Sequence, residues 1–177
     1  MKIQKVVNRL QKLHPKEIDL SLSRIKKLLK KLGNPQNKIK AISVVGTNGK
    51  NSTIEALYSI LKASGYVCNI YTSPHIQNIN ERFIFNNKKL NNSELIRLLK
   101  IIETSNNKEE ITFFEILTAA FFYKAAKYPQ NINLIESGLF HRFDATNVLS
   151  KNIASIITSI SKDHMDWLPR NKKHLKE

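Results

Sequence analysis

With 177 residues, 41% of them apolar, the chain is long enough for one domain with a real core, cramped for two, and neither collagen-like nor wholly disordered. Twenty-nine Lys and Arg against 14 Asp and Glu give a net charge of +15, and the single cysteine, Cys68, excludes a disulfide framework and a cysteine-rich metal site. No apolar run approaches the length of a membrane-spanning helix, and Met1-Lys2-Ile3-Gln4-Lys5 opens no signal peptide, so no membrane association is expected and a cytoplasmic location fits.

Residues 1–38 read as a polar, helical lead-in. Val6, Val7, Leu10 and Leu13 recur at helical spacing. So do Leu22, Ile25, Leu28, Leu29 and Leu32, which Gly33-Asn34-Pro35 stops. Residues 39–177 then alternate between strands and helices. Ile39–Val45 is β-branched and apolar, a buried strand. Ser52–Ser64 carries Ile54, Leu57, Ile60 and Leu61 on one helical face and ends at Gly65. Val67–Tyr71 is a second strand. Arg82–Phe85, Asn86-Asn87 and Lys88–Leu90 form a small hairpin. Asn92 or Ser93 caps a helix through Leu95, Leu98, Leu99 and Ile102. Thr112 caps another over Phe113–Tyr128, ended by Pro129. Ile132–Ile135 and Ile153–Ile160 are further apolar strands. This alternation predicts an α/β domain with a mostly parallel sheet flanked by helices, whose ligands sit at the carboxyl ends of the strands.

Those ends carry the chemistry. The first strand runs into Gly46-Thr47-Asn48-Gly49-Lys50-Asn51-Ser52 and a helix. Small residues there let backbone N–H groups converge on an anion, and the helix N-terminus adds partial positive charge. Lys50 reaches terminal phosphates, and the Ser52 hydroxyl suits Mg²⁺. The general pattern G-x-x-x-x-G-K-[ST] is not met strictly, because Val44 replaces its first glycine and the hydroxyl falls one residue late. The second strand leads to Thr72-Ser73-Pro74-His75 and Asn80-Glu81-Arg82. Asn133-Leu134-Ile135 leads to Glu136-Ser137-Gly138, a carboxylate beside a phosphate loop and so a candidate Mg²⁺ ligand. The last strand leads to Asp163-His164.

Taken together, Gly46-Thr47-Asn48-Gly49-Lys50, Tyr71-Thr72-Ser73-Pro74-His75 with Asn80-Glu81-Arg82, Thr112-Phe113-Phe114-Glu115, Arg142-Phe143-Asp144-Ala145-Thr146-Asn147 and Thr158-Ser159-Ile160 with Asp163-His164 resemble the folylpolyglutamate synthase / dihydrofolate synthase family of Mur-type ligases, in order and in spacing. The resemblance implies a P-loop-containing α/β domain of the Mur central-domain type. It also implies an ATP-dependent ligase that joins L-glutamate to dihydropteroate or tetrahydrofolate through an acyl phosphate. It assigns the ATP phosphates to Thr47, Asn48, Gly49, Lys50, Asn51 and Ser52, and Mg²⁺ to Ser52, Ser73, Glu136 and His164. Lys50, Glu136 and His164 would be catalytic. The pterin side falls to Asp19, Leu20, Ser21, Thr112, Phe113, Phe114, Glu115, Phe143, Asp144 and Ala145. Helix capping by Thr112 and a turn at Asp144 account for those two residues without a ligand.

Departures from the family pattern are Asn51 in place of glycine, Phe140-His141 in place of two glycines, and Ser137 in place of a small aliphatic residue. The family also continues past the Asp-His motif into a helix bearing a carbamylated lysine and then a C-terminal domain. Asn171–Glu177 reads as the start of that helix, so an N-terminal fragment is expected, monomeric and inactive alone. A non-catalytic nucleotide-binding module is the alternative. A Lys-rich RNA-binding protein fits less well. Lys (23), Asn (19) and Ile (22) all have A/T-rich codons, Arg is only 6, and no compact basic block is present.

Overall fold

The computed structural model describes residues 3–13, 21–138 and 141–162, with His141 described by its backbone alone. Its helices are α1 (Ile3–Leu10), α2 (Ser23–Lys31), α3 (Lys50–Ala63), α4 (Asn92–Asn106) and α5 (Phe113–Ala125). Its strands are β1 (Lys40–Val45), β2 (Cys68–Tyr71), β3 (Phe83–Phe85), β4 (Lys88–Lys89), β5 (Ile132–Glu136) and β6 (Ala154–Ile157), in sheet order β4-β3-β2-β5-β1-β6. The β2, β5, β1 and β6 strands run parallel, and the β3–β4 hairpin is antiparallel. Asn86 and Asn87 both take positive φ, as the tight turn of a two-residue hairpin requires.

Strand alternation sorts the core into two layers. Val44, Ile70 and Leu134 face α3 and its Ile54. The opposite face, with Ala41, Tyr71, Phe83 and Ile135, packs against α1, α2, α4 and α5 in one cluster. Helix α5 is apolar nearly all round and is buried accordingly, lying among α2, α4 and the sheet. Helices α4 and α5 start on reciprocal caps. Thr112 Oγ1 accepts from Glu115 N while Glu115 Oε2 accepts from Thr112 N. In α4 the cap is Asn91, not Asn92 or Ser93, because only Asn91 has a glutamate, Glu94, three residues on to complete the box.

Three other expectations need correcting. Helix α3 begins at Lys50, with Gly49 as its cap at φ +84, so Asn51 already lies inside the helix and carries no positive φ. The substitution of Asn for glycine there is free of backbone strain. Helix α5 stops at Ala125, and its last turn tightens through Tyr128 N to Ala125 O before Pro129. Strand β6 is shorter than Ile153–Ile160. It lies at the sheet edge, with Ile153, Ile157 and Ile160 exposed. No described helix is long and apolar enough to cross a membrane.

Candidate functional site

The carboxyl ends of β2, β5, β1 and β6 share one sheet edge, and the loops leaving them form the site. The loop after β1 is stitched to the segment after β6. Thr47 N donates to Ser159 O (2.7 Å), Thr47 Oγ1 to Ser161 O (3.1 Å) and Thr158 N to Val45 O (2.8 Å). Gly46 is required by this close approach. A Cβ there, at φ +139, would stand 2.0 Å from Thr158 Oγ1 and 3.0 Å from Ser159 O.

The first helical bond of α3 runs from Thr53 N to Gly49 O, which leaves the amides of Lys50, Asn51 and Ser52 at the open helix end. These amides and the helix dipole suit a phosphate. Lys50 Nζ lies back over the loop, donating to Gly46 O (2.8 Å) and Thr47 O (3.0 Å). Its charge is thereby held at the centre of the cradle.

Glu136 ends the central strand β5, in register with Val44 of β1 and one residue past the Ile135–Tyr71 pair with β2. It is buried, and its Oε2 accepts from Ser73 N (2.9 Å). Burial raises its carboxyl above the usual range, opposed by the Ser73 amide and the charges of Lys50 and Arg82. The structure thus brings together the phosphate loop, Ser73 and Glu136. These offer hydroxyl and carboxylate oxygens, the hard donors that Mg²⁺ prefers, so the residues present fit such an ion. Among the described residues no group of three or more His, Cys, Asp or Glu could hold a metal. His164 and Asp163 lie outside the described residues, as do Asp19, Leu20, Phe140 and residues 163–177.

The loop from Thr72 to Arg82 closes on itself. Thr72 N donates to Arg82 O, and the Glu81 carboxylate accepts from the amides of Ile76 (2.7 Å), Gln77 and Asn78 (2.8 Å). Those amides hold the Glu81 carboxyl below its ordinary range. Arg82 Nε donates to His75 Nδ1 at 2.9 Å. Burial and the Arg82 charge push the His75 imidazole down, toward the neutral form that can accept this bond. Neither Glu81 as a loop clamp nor Arg82 as a site cation was anticipated from sequence, although the Asn-Glu-Arg run was visible.

On the expected pterin side, Phe114 stacks on Tyr71 with centroids 6.1 Å apart. Glu115 Oε2 accepts from Thr112 N at the cap and from Arg24 Nε of α2 (3.0 Å), while its Oε1 is buried without a hydrogen-bond partner among the described residues. Asp144 is buried against Gly138, where a Cβ would come within 2.4 Å of Asp144 Oδ2, and its Oδ1 accepts from Thr146 N and Thr146 Oγ1. A turn role therefore occupies part of Asp144. Ser137 is buried too, and its hydroxyl meets Thr146 Oγ1 at 3.2 Å, which satisfies a polar group where an aliphatic one was expected. Phe113 packs half-buried at the start of α5, Ala145 is buried in the core, and Phe143 is exposed beneath the Arg142 guanidinium. Ser21 pairs with Ser23 at the entry of α2, a local turn.

No protein-family model matches the chain. The dihydrofolate synthase/folylpolyglutamate synthase of Bacillus subtilis is 40% identical over 154 residues, covering 83% of this chain and 36% of that protein. The Escherichia coli protein of the same name is 35% identical over 168 residues, covering 94% and 39%. The chain is homologous to the folylpolyglutamate synthase / dihydrofolate synthase family. Among solved structures, E. coli FolC in complex with DHPP and ADP superimposes at TM-score 0.88 with 32% identity, over 95% of this chain and 40% of that one. A bifunctional folylpolyglutamate synthase/dihydrofolate synthase with Mn, AMPPNP and L-glutamate bound superimposes at 0.85 with 30% identity. The chain thus spans about two fifths of the length of these members of the synthase family.

Proposed function

We propose that this chain is the nucleotide-binding part of an ATP-dependent amide ligase that joins L-glutamate to a folate-type acid, dihydropteroate or tetrahydrofolate. The observation that carries this reading is the placement of a buried carboxylate, Glu136, between a phosphate loop and the Ser73 amide at one parallel-sheet edge. A carboxylate is a poor acyl donor, so ATP must first convert it to an acyl phosphate, which the glutamate amine then attacks. Two anions approach each other in that step, and the site must neutralise them.

The chain's own residues divide that work. The amides of Lys50, Asn51 and Ser52 cradle the phosphates, and Lys50 Nζ exchanges its loop carbonyls for phosphate oxygens. Ser52, Ser73 and Glu136, with His164 as the family pattern implies, would hold Mg²⁺, which supplies further charge neutralisation. On the acid side, Glu115 Oε1, without a hydrogen-bond partner among the described residues, is an acceptor in want of a donor, as the N–H-rich edge of a pterin ring provides, and the half-buried Phe114 ring offers an aromatic face.

Residues 39–177 form the ATP-binding domain in this reading and residues 1–38 its helical lead-in. Turnover requires the portion of the family's length that this chain does not match, because acid, ATP and amine must be held together in reacting geometry. The test is ATP-dependent incorporation of radiolabelled glutamate into dihydropteroate and tetrahydrofolate, run on the chain alone and on a full-length relative. Binding of Mg·ATP and of the acid without turnover is the expected result for the chain. Glutamate incorporation equal to the full-length relative would overturn the requirement for the rest. Failure to bind either ligand would overturn the ligase reading.

A further inference from the structure

Helices α4 and α5, joined by the short 107–112 segment, pack side by side. Between them, at the end of α5 far from the phosphate loop, lies a cavity of about 250 Å³. On α4 it is lined by Glu94, Arg97, Leu98 and Ile101, spaced three and four apart and so on one helix face. On the other side stand Tyr123 and Lys124 in the last turn of α5 and Lys127 just beyond it. Lys124 is twelve residues past the Thr112 cap, roughly 18 Å along the helix, so the groove is separate from the candidate site.

Its floor is apolar, made by buried Leu98, exposed Ile101 and half-buried Tyr123. Its walls are basic. Glu94 is the one carboxylate lining it, and that carboxylate is committed to the α4 cap, where Oε2 accepts from Asn91 N at 3.0 Å. Among the described residues neither Arg97, Lys124 nor Lys127 forms an ion pair. The ammonium groups rest on aromatic rings instead. Lys127 Nζ lies 5.0 Å from the Tyr123 centroid, and Lys124 Nζ lies 5.4 Å from that of Phe85 and 6.0 Å from that of Tyr128. Phe85 pairs with Lys88 of β4, so the basic surface continues onto exposed Lys88 and Lys89.

Size and charge together select the occupant. Cavities that hold drug-sized ligands run to about 300–1,000 Å³, so this one suits a single side chain. An apolar floor calls for an aliphatic group, and cations around it call for carboxylates on either side. Nucleic acid fits less well, because lysines already cover ring faces on which bases would stack. A second copy of the chain fits less well too, since it brings the same net charge of +15.

We propose that the α4–α5 groove docks an acidic polypeptide segment of a partner protein, with one aliphatic side chain seated on Leu98 and Ile101 and flanking carboxylates on Arg97, Lys124 and Lys127. The proposal is independent of the ligase reading.

The probe is a fluorescent peptide with a central leucine between two short runs of glutamate, titrated with the chain and read by anisotropy. The wild-type chain is expected to bind it about tenfold or more tightly than the same peptide with glutamine for glutamate or serine for leucine. Arg97→Glu and Lys127→Glu, both at exposed positions, should each weaken binding by about tenfold, because attraction becomes repulsion. Lys62→Glu makes the same charge change on α3, across the sheet, and should leave the affinity unchanged. An equal loss in Lys62→Glu would mean that net charge alone attracts the peptide, and the proposal fails. It fails if the glutamine peptide binds as well, or if the acidic peptide does not bind. Should Arg97→Glu not fold, Arg97→Gln decides, and an affinity equal to wild type overturns the proposal. Three competing occupants are measured alongside. A single-stranded oligonucleotide or an anionic phospholipid vesicle that binds more tightly than the peptide and is lost in Arg97→Glu would overturn it. So would a dimer in sedimentation that Arg97→Glu dissolves.

Discussion

Replacing Gly46 with alanine perturbs the phosphate loop through one identifiable contact. The new Cβ would lie 2.0 Å from Thr158 Oγ1, 3.1 Å from Thr158 Cβ and 3.0 Å from Ser159 O, on a backbone at φ +139. Two costs follow. An L residue is strained at that φ, and the clash forces either Thr158 to rotate or the 158–159 segment to withdraw. Rotation sacrifices the Thr158 Oγ1 bond to Val45 O (3.1 Å), and withdrawal sacrifices Thr47 N to Ser159 O (2.7 Å). Backbone strain and overpacking together amount to about 3–5 kcal/mol. For a domain of this size that lowers Tm by roughly 10 °C. The assay is thermal and urea unfolding of the single variants Gly46→Ala and Thr158→Ala and of the double variant. Thr158→Ala removes the nearest atom, so the double variant should be more stable than the sum of the single losses predicts. A Gly46→Ala variant as stable as wild type, or strict additivity, would refute the close-approach argument.

Three further outcomes are expected. Because burial raises the Glu136 carboxyl, the folded chain binds a proton more tightly there than the unfolded chain does. Its contribution is intact below the ordinary carboxylate range and is lost as pH rises through the raised value. Glu136→Gln should therefore stabilise the metal-free chain at neutral pH and flatten that part of the pH–stability curve, while abolishing stabilisation by Mg·nucleotide. Urea melts from pH 4 to 8 would show an unchanged slope if burial were not the cause. Asn133→Ala removes the partners of Asn69 Nδ2 and Lys40 O and should cost about 1–3 kcal/mol in urea unfolding, as a buried polar group is left unpaired. Arg24→Met strands the Glu115 carboxylate and should cost about 3 kcal/mol, checked by the same melt.

Local chemistry was legible in the sequence, and long-range pairing was not. The phosphate loop could be read because Gly46 to Ser52 stands between a β-branched run and a helical face. The Thr112 cap could be read because its glutamate lies three residues on, and the same signal at Asn91 and Glu94 should have settled the start of α4. The apolar run Ile153–Ile160 shows a strand but not that it is only Ala154–Ile157 long and lies at the sheet edge, because apolarity alone does not record a strand's place in the sheet. The asparagines were ascribed to codon usage. Yet Asn69 and Asn133 are fully buried and bond each other at 2.9 Å, and Asn131 bonds both Asn69 and Asn86. Nothing in their spacing announces a network across three strand ends. The same holds for Arg24 reaching Glu115, 91 residues away in the chain.

The central claim is that residues 46–52 form a phosphate cradle with Lys50 at its centre, and it is tested most directly by thermal melting with Mg·ATP. Nucleotide at a hundredfold excess over Kd should stabilise the wild-type chain by about 2.7 kcal/mol, and Lys50→Ala should remove the effect while folding normally without nucleotide. Equal shifts in wild type and variant, or none in either, would contradict it.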